Sequence, residues 1–346
     1  MREIITKYEL IDKQSWSNFV KNHPLGNVFQ TPEMFAVYQC AANIQPYVVA
    51  ATCDGEVEGI LVAQWMTNGG KLAAWITSRS IIMGGPLAKD NNSEIIEALL
   101  EAYKALVPIK TIYTEIRPIY NSTQMFNYLA TKKWIRKGHY NIVLPLDKDV
   151  DTLYHQMHKE RKRNVQTAIK SLRQYLFDLE NSLMINYDPI IAEKIQDIVA
   201  LIRQTYARKH VPISYLDMFE KVLDILGNYA HFFACYAQDG KMIAGQLRLC
   251  YNEMVYAWFA GSDEEYFKQR PNDFLMWNVI VWAQGNGYQL FDFGGGGEPG
   301  VEYGVRDYKM KYGCEIYDYG RMLYSHRPLT YFCAQLAYKC YHKLKK

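Results

Sequence analysis

The residues whose types and spacing carry the most chemistry lie near the C-terminal end, in Phe291 to Gly313, FDFGGGGEPGVEYGVRDYKMKYG. Asp292 sits in a short apolar run, consecutive glycines begin at Gly294, and Arg306, Lys309 and Lys311 precede Gly313. A strand, a glycine turn and a basic helix are the natural reading. Without a Cβ, such a turn brings backbone N–H groups close to an anionic or carbonyl-bearing ligand, which makes Gly294 and Gly295 substrate-binding candidates. A lysine beside the turn can stabilise the oxyanion formed when an amine attacks a carbonyl. Lys309 and Lys311, next to Arg306, suit that role and equally suit exposed helix charges. Asp292 and Asp307 are candidates to handle a proton or orient those cations, and Asp292 could equally hydrogen-bond the turn. Tyr308 joins the substrate-binding candidates. Gly295-x-Gly297-x-x-Gly300 also satisfies the dinucleotide fingerprint, but its third glycine follows Pro299 and too few residues remain for that fold.

A second concentration opens the middle of the chain, with Lys159, Arg161, Lys162, Arg163, Lys170 and Arg173 against Glu160. Lys159, Arg163 and Lys170 share one helical face, and Val165, Ala168, Ile169 and Leu172 form an apolar stripe opposite. A solvated face and a phosphate site both fit this pattern. No GxSxG occurs and the histidines are scattered, so a catalytic triad is not indicated; His139, His155 and His158 read as surface or satisfied polar residues. The seven cysteines form no CxxC, which argues against a metal site or disulfide framework and for a reduced, cytoplasmic setting.

The elements that must position these residues come in two similar series. In the first, Thr31 caps a helix beginning at Pro32 and running to about Ala42. A strand over 46–53, an Asp54-Gly55 turn and a strand over 57–66 follow, with Gly59 read as a bulge. Asn68–Gly70 turns into a third strand over 71–76. A helix over 93–106, a strand over 111–116, a short helix near 126–130 and a strand pair over 134–146 complete the series. The second has strands over 231–237, 242–250 and 253–260, a helix over 274–283 and a strand over 289–293. Asp54-Gly55 falls on Asp239-Gly240, Gly59 on Gly245 and Trp75 on Trp258 if one residue is added between turn and bulge, which points to an internal duplication. Between the series, 151–226 reads as helical, with helices at 190–208 and 214–226, a capping pattern at Ser214 and Asp217, and a strand-like segment at 183–187. The expected organisation is a first domain over 1–150, a second over 151–328 and a C-terminal basic helix over 329–346. That helix either packs on its domain or touches an anionic membrane surface.

At 346 residues the chain is long enough for two cores, and a net charge of +3 is too small to imply nucleic acid by itself. The N-terminus has no apolar h-region, so no signal peptide is expected, and no apolar run is long enough to span a membrane.

The duplicated unit, the basic helix and the run FDFGG…PG…GV…YKMKYG together resemble the Fem-type (FemABX) aminoacyl transferases, within the wider superfamily of GNAT-like acyltransferases. Asp292-Phe293-Gly294-Gly295, Gly304-Val305 and Lys309-x-x-x-Gly313 carry the most specific part. Arg161–Lys170 (RKRNVQTAIK) is similar to that family's arginine-bearing helix, and Asn27–Glu33 (NVFQTPE) to its N-terminal motif. The resemblance implies an α/β (α+β) protein of two tandem GNAT-like domains, each a mixed, mainly antiparallel twisted sheet flanked by helices. It implies a cytoplasmic transferase without a resident cofactor. An aminoacyl group would pass from a charged tRNA to an amine of a peptidoglycan precursor, often lipid-linked, and relatives act in polysaccharide pathways. It assigns substrate phosphate to Arg163 and donor binding or transfer to Lys309, with Arg161 and Lys311 as close competitors. The chain departs from the family in having no evident long coiled-coil arm, which leaves the tRNA donor open. The alternative donor is an acyl-CoA. Its pyrophosphate calls for a Q/R-x-x-G-x-G/A loop after the third core strand, where this chain has GSDEEYFKQRPNDF; Arg79 and Gly84-Gly85 in the first half lack the spacing. A non-catalytic precursor-binding protein is the third reading. The expected partners are the envelope precursor, charged tRNA and the inner membrane surface, with the chain monomeric or dimeric.

Overall fold

Two hairpins seed two sheets in the computed structural model, which describes residues 2–67, 74–171, 176–178, 189–209 and 218–344. Asp54 and Gly55 both take positive φ, 52° and 86°, as a two-residue type I′ turn requires. They join β2 (Ile44–Cys53) to β3 (Glu56–Met66). In the second hairpin Gly240 is left-handed, at 89°, and Ala237 N–H donates to Lys241 O across the turn at 2.9 Å. This longer loop joins β10 (Ala230–Tyr236) to β11 (Met242–Tyr251) and takes up the residue added in aligning the halves.

The first unit contains residues up to Gly138 and from Tyr319 onward; the second is His139–Asp318. The first sheet runs β1 (Arg2–Ile5), β2, β3, β4 (Arg79–Met83), β6 (Tyr113–Arg117), β15 (Arg321–Ser325), β7 (Ile135–Lys137), with β5 (Leu87–Ala88) also on β3. The second runs β9 (Leu176–Asp178), β10, β11, β12 (Met254–Ser262), β13 (Leu290–Gly295), β8 (Tyr140–Pro145), β14 (Glu315–Asp318). The two orders correspond position by position. Each sheet has one parallel pair among antiparallel ones, β4 with β6 and β12 with β13. A crossover helix makes each parallel connection, Ser93–Leu106 in the first and Pro271–Gly285 in the second. The protein is therefore a tandem repeat of mixed, mainly antiparallel sheets flanked by helices.

The expected boundary at 150 moves because the outer strands are exchanged. β7 and β8 are separated only by Gly138 and His139, yet β7 pairs with β15 in the first sheet and β8 with β13 and β14 in the second. Tyr319 and Gly320 similarly divide β14 from β15. The chain after β14 thus returns to the first unit, which takes in the Pro328–Leu344 helix expected as a separate C-terminal segment following the second domain.

Other differences have local causes. The bulge on β3 falls at Glu58, between the pairs Ala51↔Gly59 and Thr52↔Val57. Gly59 itself is needed because a Cβ there would stand 2.4 Å from Ile95 of the crossover helix. Gly245 faces Ile198 of the Pro189–Arg208 helix in the same way, at 2.7 Å. Residues 68–73 lie outside the described residues, and Ala74–Thr77 is a short helix instead of the end of a strand. Trp75 is half exposed beneath Arg327, 5.2 Å from its ring centre, so the counterpart of β12 is β4 and the match of Trp75 with Trp258 does not hold. The basic segment forms two helices, Val150–Gln156 and Lys159–Ser171. The Ser214–Asp217 cap and the 183–187 segment lie outside the described residues.

Each unit has its own core. Val49, Leu61, Ile82, Leu99 and Ile116 are buried in the first, and Leu144, Phe233, Val255, Val279 and Phe291 in the second. No described helix is long and apolar enough to cross a membrane.

Candidate functional site

The site follows from where β12 and β13 stop pairing. Their parallel register covers only Met254↔Leu290 to Tyr256↔Asp292. Beyond it β12 stays with β11 and takes an extra residue, Trp258, between the pairs Arg248↔Ala257 and Leu247↔Phe259. The register of β13 with β8 shifts between Asp292 and Gly295. The diverging strands line a cavity of about 770 Å³, together with the ends of the Pro189–Arg208 and Gly304–Met310 helices. Its walls include Tyr206, Trp258, Phe259, Phe267, Tyr303 and Tyr308.

The glycine turn closes β13. Gly294 is left-handed, at 76°, and its N–H donates to Asp292 Oδ1 at 2.6 Å. A Cβ on Gly295 would sit 2.8 Å from His139 Nε2, so the His139 ring would have to shift to admit any other residue there. Lys309 Nζ donates to Gly295 O at 2.8 Å. Arg306 donates to the carbonyls of Gly296, Glu298 and Val301, at 3.3, 3.2 and 2.5 Å. Arg306 is therefore occupied in holding the loop shut.

Asp292 is fully buried and its Oδ2 has no hydrogen-bond partner among the described residues. Burial raises its pKa to about 7, against the opposing pull of the Gly294 N–H and of Lys309. Burial also lowers Lys309 to about 8, against the attraction of Asp292. A carboxyl and an amine are thus pushed toward each other across neutral pH, as one coupled pair. Lys309 lines the cavity and Asp292 does not, so any effect of Asp292 on a ligand passes through Lys309.

Arg161 is buried and paired with Asp273, which also accepts from Asn164 Nδ2 at 3.0 Å and Tyr312 Oη at 2.9 Å. Tyr312 and Tyr308 hydroxyls are 2.9 Å apart, and the Arg161 guanidinium lies 4.7 Å from the Tyr308 ring centre. Glu160 bridges Arg161 and Lys311, at 2.7 and 2.6 Å. Arg161 and Lys311 are therefore committed within the fold, and Tyr308 carries this network to the cavity wall. Arg163 is exposed on the Lys159–Ser171 helix, and neither it nor the exposed Asp307 lines the cavity. Of the expected set, the structure brings Lys309 and Tyr308 to the cavity with Asp292, Gly294, Gly295 and Arg306 behind them.

Among the cavity residues that escaped the sequence reading, two stand out. Gln246 and Arg248 alternate on β11 within MIAGQLRLCY, where every residue is buried. Polar residues two apart in an otherwise apolar strand share a face, and that spacing is the signal that marks them.

The two sheets with their crossover helices make a tandem GNAT-like fold. Residues 147–310 match the family model described as an acetyltransferase (GNAT) domain. Among solved structures, the chain is similar to FemX at 18% identity, with a TM-score of 0.70 over 96% of this chain and 100% of that one. It is also similar to L-PGS from Bacillus licheniformis, at 14% identity and a TM-score of 0.58 over 94% and 97% of the two chains. A tandem GNAT protein from the clavulanic acid biosynthesis pathway follows at 11% identity, with a TM-score of 0.56 over 94% and 99%. No curated protein matches the chain in sequence. The resemblance to the Fem-type transferases drawn from the residues is upheld as a likeness of fold.

Proposed function

We propose that the chain transfers an aminoacyl or acyl group to an amine of a cell-envelope precursor, in the cavity between β12 and β13. The observation that carries this reading is Lys309, an amine desolvated beside Asp292 and exposed to an aromatic-walled cavity in a GNAT-like fold. FemX and L-PGS, which share that fold, support a transferase of this kind.

In the proposed step a neutral amine of the acceptor attacks the ester carbonyl of the donor. A C–N bond forms and the carbonyl oxygen becomes an oxyanion facing the Lys309 ammonium. Collapse breaks the C–O bond, and the amine's proton leaves on the departing oxygen, so the step balances without a protein base. A preorganised cation in a water-poor site stabilises such an oxyanion far more than it would in water. Asp292 keeps Lys309 charged and thus acts as a positioning residue. Arg163, unpaired among the described residues, is the surface cation suited to acceptor phosphate.

An aminoacyl-tRNA donor is favoured over an acyl-CoA by the residues after β12. A pyrophosphate needs clustered N–H donors, whereas this segment opens with Asp263, Glu264 and Glu265. Those acids do not fit a CoA pyrophosphate.

The test is single-turnover transfer from a charged tRNA to a lipid-linked muropeptide. Lys309→Met should lower the rate at least about a hundredfold, the scale of losing one oxyanion donor, while circular dichroism stays unchanged. An undiminished rate would sink the reading.

A further inference from the structure

We infer that Arg248 is an anion receptor in the cavity wall, and that the cavity takes a molecule with one carboxylate or phosphate group on an apolar or planar body. The inference rests on the cavity of the proposed reaction, but not on the reaction occurring there.

Arg248 is 1% exposed and lines the cavity from β11. It makes no ion pair among the described residues. Its Nη1 reaches only the carbonyls of Leu247 and Phe259, at 3.3 and 3.4 Å, both beside the β12 bulge. Its Nη2 donates to Gln246 Oε1 and lies 3.8 Å from Met276 Sδ. Its Nε–H has no partner among the described residues. Phe291 lies on another side, its ring centre 5.7 Å from the guanidinium. Gln246 contributes its oxygen to Arg248 and lines the same cavity.

A guanidinium buried without a carboxylate costs several kcal/mol, and a fold keeps such a charge only where something compensates it. Burial brings even this arginine down to about 10. The rest of the lining points the same way. Arg208, Lys209 and Lys309 also face the cavity, and no aspartate or glutamate is among its described lining residues. Arg208 is satisfied by Glu264 at 3.4 Å, which leaves Arg248 as the buried member without an acid. Four cations, aromatic walls and an unused buried N–H describe a receptor for an oxyanion attached to a flat or apolar group.

The test uses calorimetric titration of the full chain at fixed ionic strength with phenylacetate, phenyl phosphate and neutral phenylacetamide. At least one anion should bind about tenfold or more tightly than the amide, the scale of one charge-assisted hydrogen bond. Phenylacetate as the tighter anion identifies a carboxylate ligand, and phenyl phosphate a phosphate ligand. Equal binding of all three overturns the inference. Arg248→Met should abolish the preference and melt no lower than the wild type without ligand, because an apolar isostere relieves a buried charge. If that variant does not fold, Arg248→Lys decides, since it keeps the charge and loses the Nε–H; an undiminished preference overturns the inference. Lys309→Met separates the two proposals. A preference kept there while transfer is lost supports both, and a preference lost there but kept in Arg248→Met overturns the anion receptor alone.

Discussion

The two units place carboxylates at the same point of the same topology and treat them in opposite ways. Glu115 is the third residue of β6 to pair with β4, as Asp292 is the third of β13 to pair with β12. In the first unit the parallel pairing continues through Met83↔Arg117, so the strands do not part there. Glu115 accepts from Arg117 at 2.5 Å and Arg321 at 3.0 Å, and both arginines reach solvent. In the second unit pairing ends at Asp292, one carboxylate oxygen is left orphaned, and the gap becomes a cavity. A duplicated fold has kept one copy closed with its charges neutralised and left the other open with its charges under strain. Buried, imperfectly compensated groups are where protein sites do chemistry.

The largest effect should come from the network that braces the open copy. Asp273→Ala leaves Arg161 with only the part-exposed Glu160 as an acid, and deprives Tyr312 and Asn164 of their carboxylate acceptor. Breaking a buried pair of this kind costs roughly 3–5 kcal/mol. Glu115→Ala in the closed copy leaves two arginines that can turn to water, and should cost about 1 kcal/mol. Urea unfolding followed by tryptophan fluorescence measures both. Equal losses would mean that the two copies do not differ in how they bury charge.

A smaller effect is expected at Asp292, read through pH. Lys309 must carry its proton to stabilise an oxyanion, so transfer should fall as pH rises through about 8. Asp292→Asn removes the attraction that holds that proton, and the alkaline limb should move to lower pH. An unmoved limb in rate–pH profiles would show that Asp292 does not act on Lys309. Stability should respond separately. The folded carboxyl keeps its proton to about 7, whereas the unfolded one releases it near 3.8, so wild-type stability declines as pH rises across that window. The asparagine variant should lack this decline. Glu115→Gln should shift neither curve in this way, which sharpens the contrast between the copies.

Much of this contrast was legible in the sequence, and what was hidden was mostly non-local. The Asp54-Gly55 and Asp239-Gly240 turns fix two hairpins through backbone geometry alone, and the spacing of Ile96, Leu99, Leu100 and Tyr103 marks the buried side of a crossover helix. Lys309 and Asp292 stand out because a glycine turn brings near neighbours in sequence together. The exchange of β8 and β15 is invisible in the sequence, because a two-residue link looks like a hairpin whichever sheet receives its second strand. Arg161 reads as a phosphate ligand until Asp273, more than a hundred residues away, is seen to take it. Arg248 hides for the opposite reason: its strand is apolar, and one arginine in such a run resembles an interruption until a cavity opens beside it.

The smallest effect probes the duplication itself, at Gly59 and Gly245. Both glycines admit an isoleucine from a packing helix, and an added Cβ would stand 2.4 Å from Ile95 in one copy and 2.7 Å from Ile198 in the other. Overpacking a tight interior typically costs about 1–3 kcal/mol. Gly59→Ala and Gly245→Ala should therefore each destabilise within that range in urea titrations. Ile95→Val in the first background and Ile198→Val in the second should recover part of the loss, because each shortens the side chain the new methyl meets. The transfer rate supplies the asymmetry. Gly245 lies on β11 close to Gln246 and Arg248, which line the cavity, so its substitution should also slow transfer, whereas Gly59→Ala should leave the rate of folded protein unchanged. Equal slowing by both variants would place the reaction outside the splayed second copy and return the two units to equal standing.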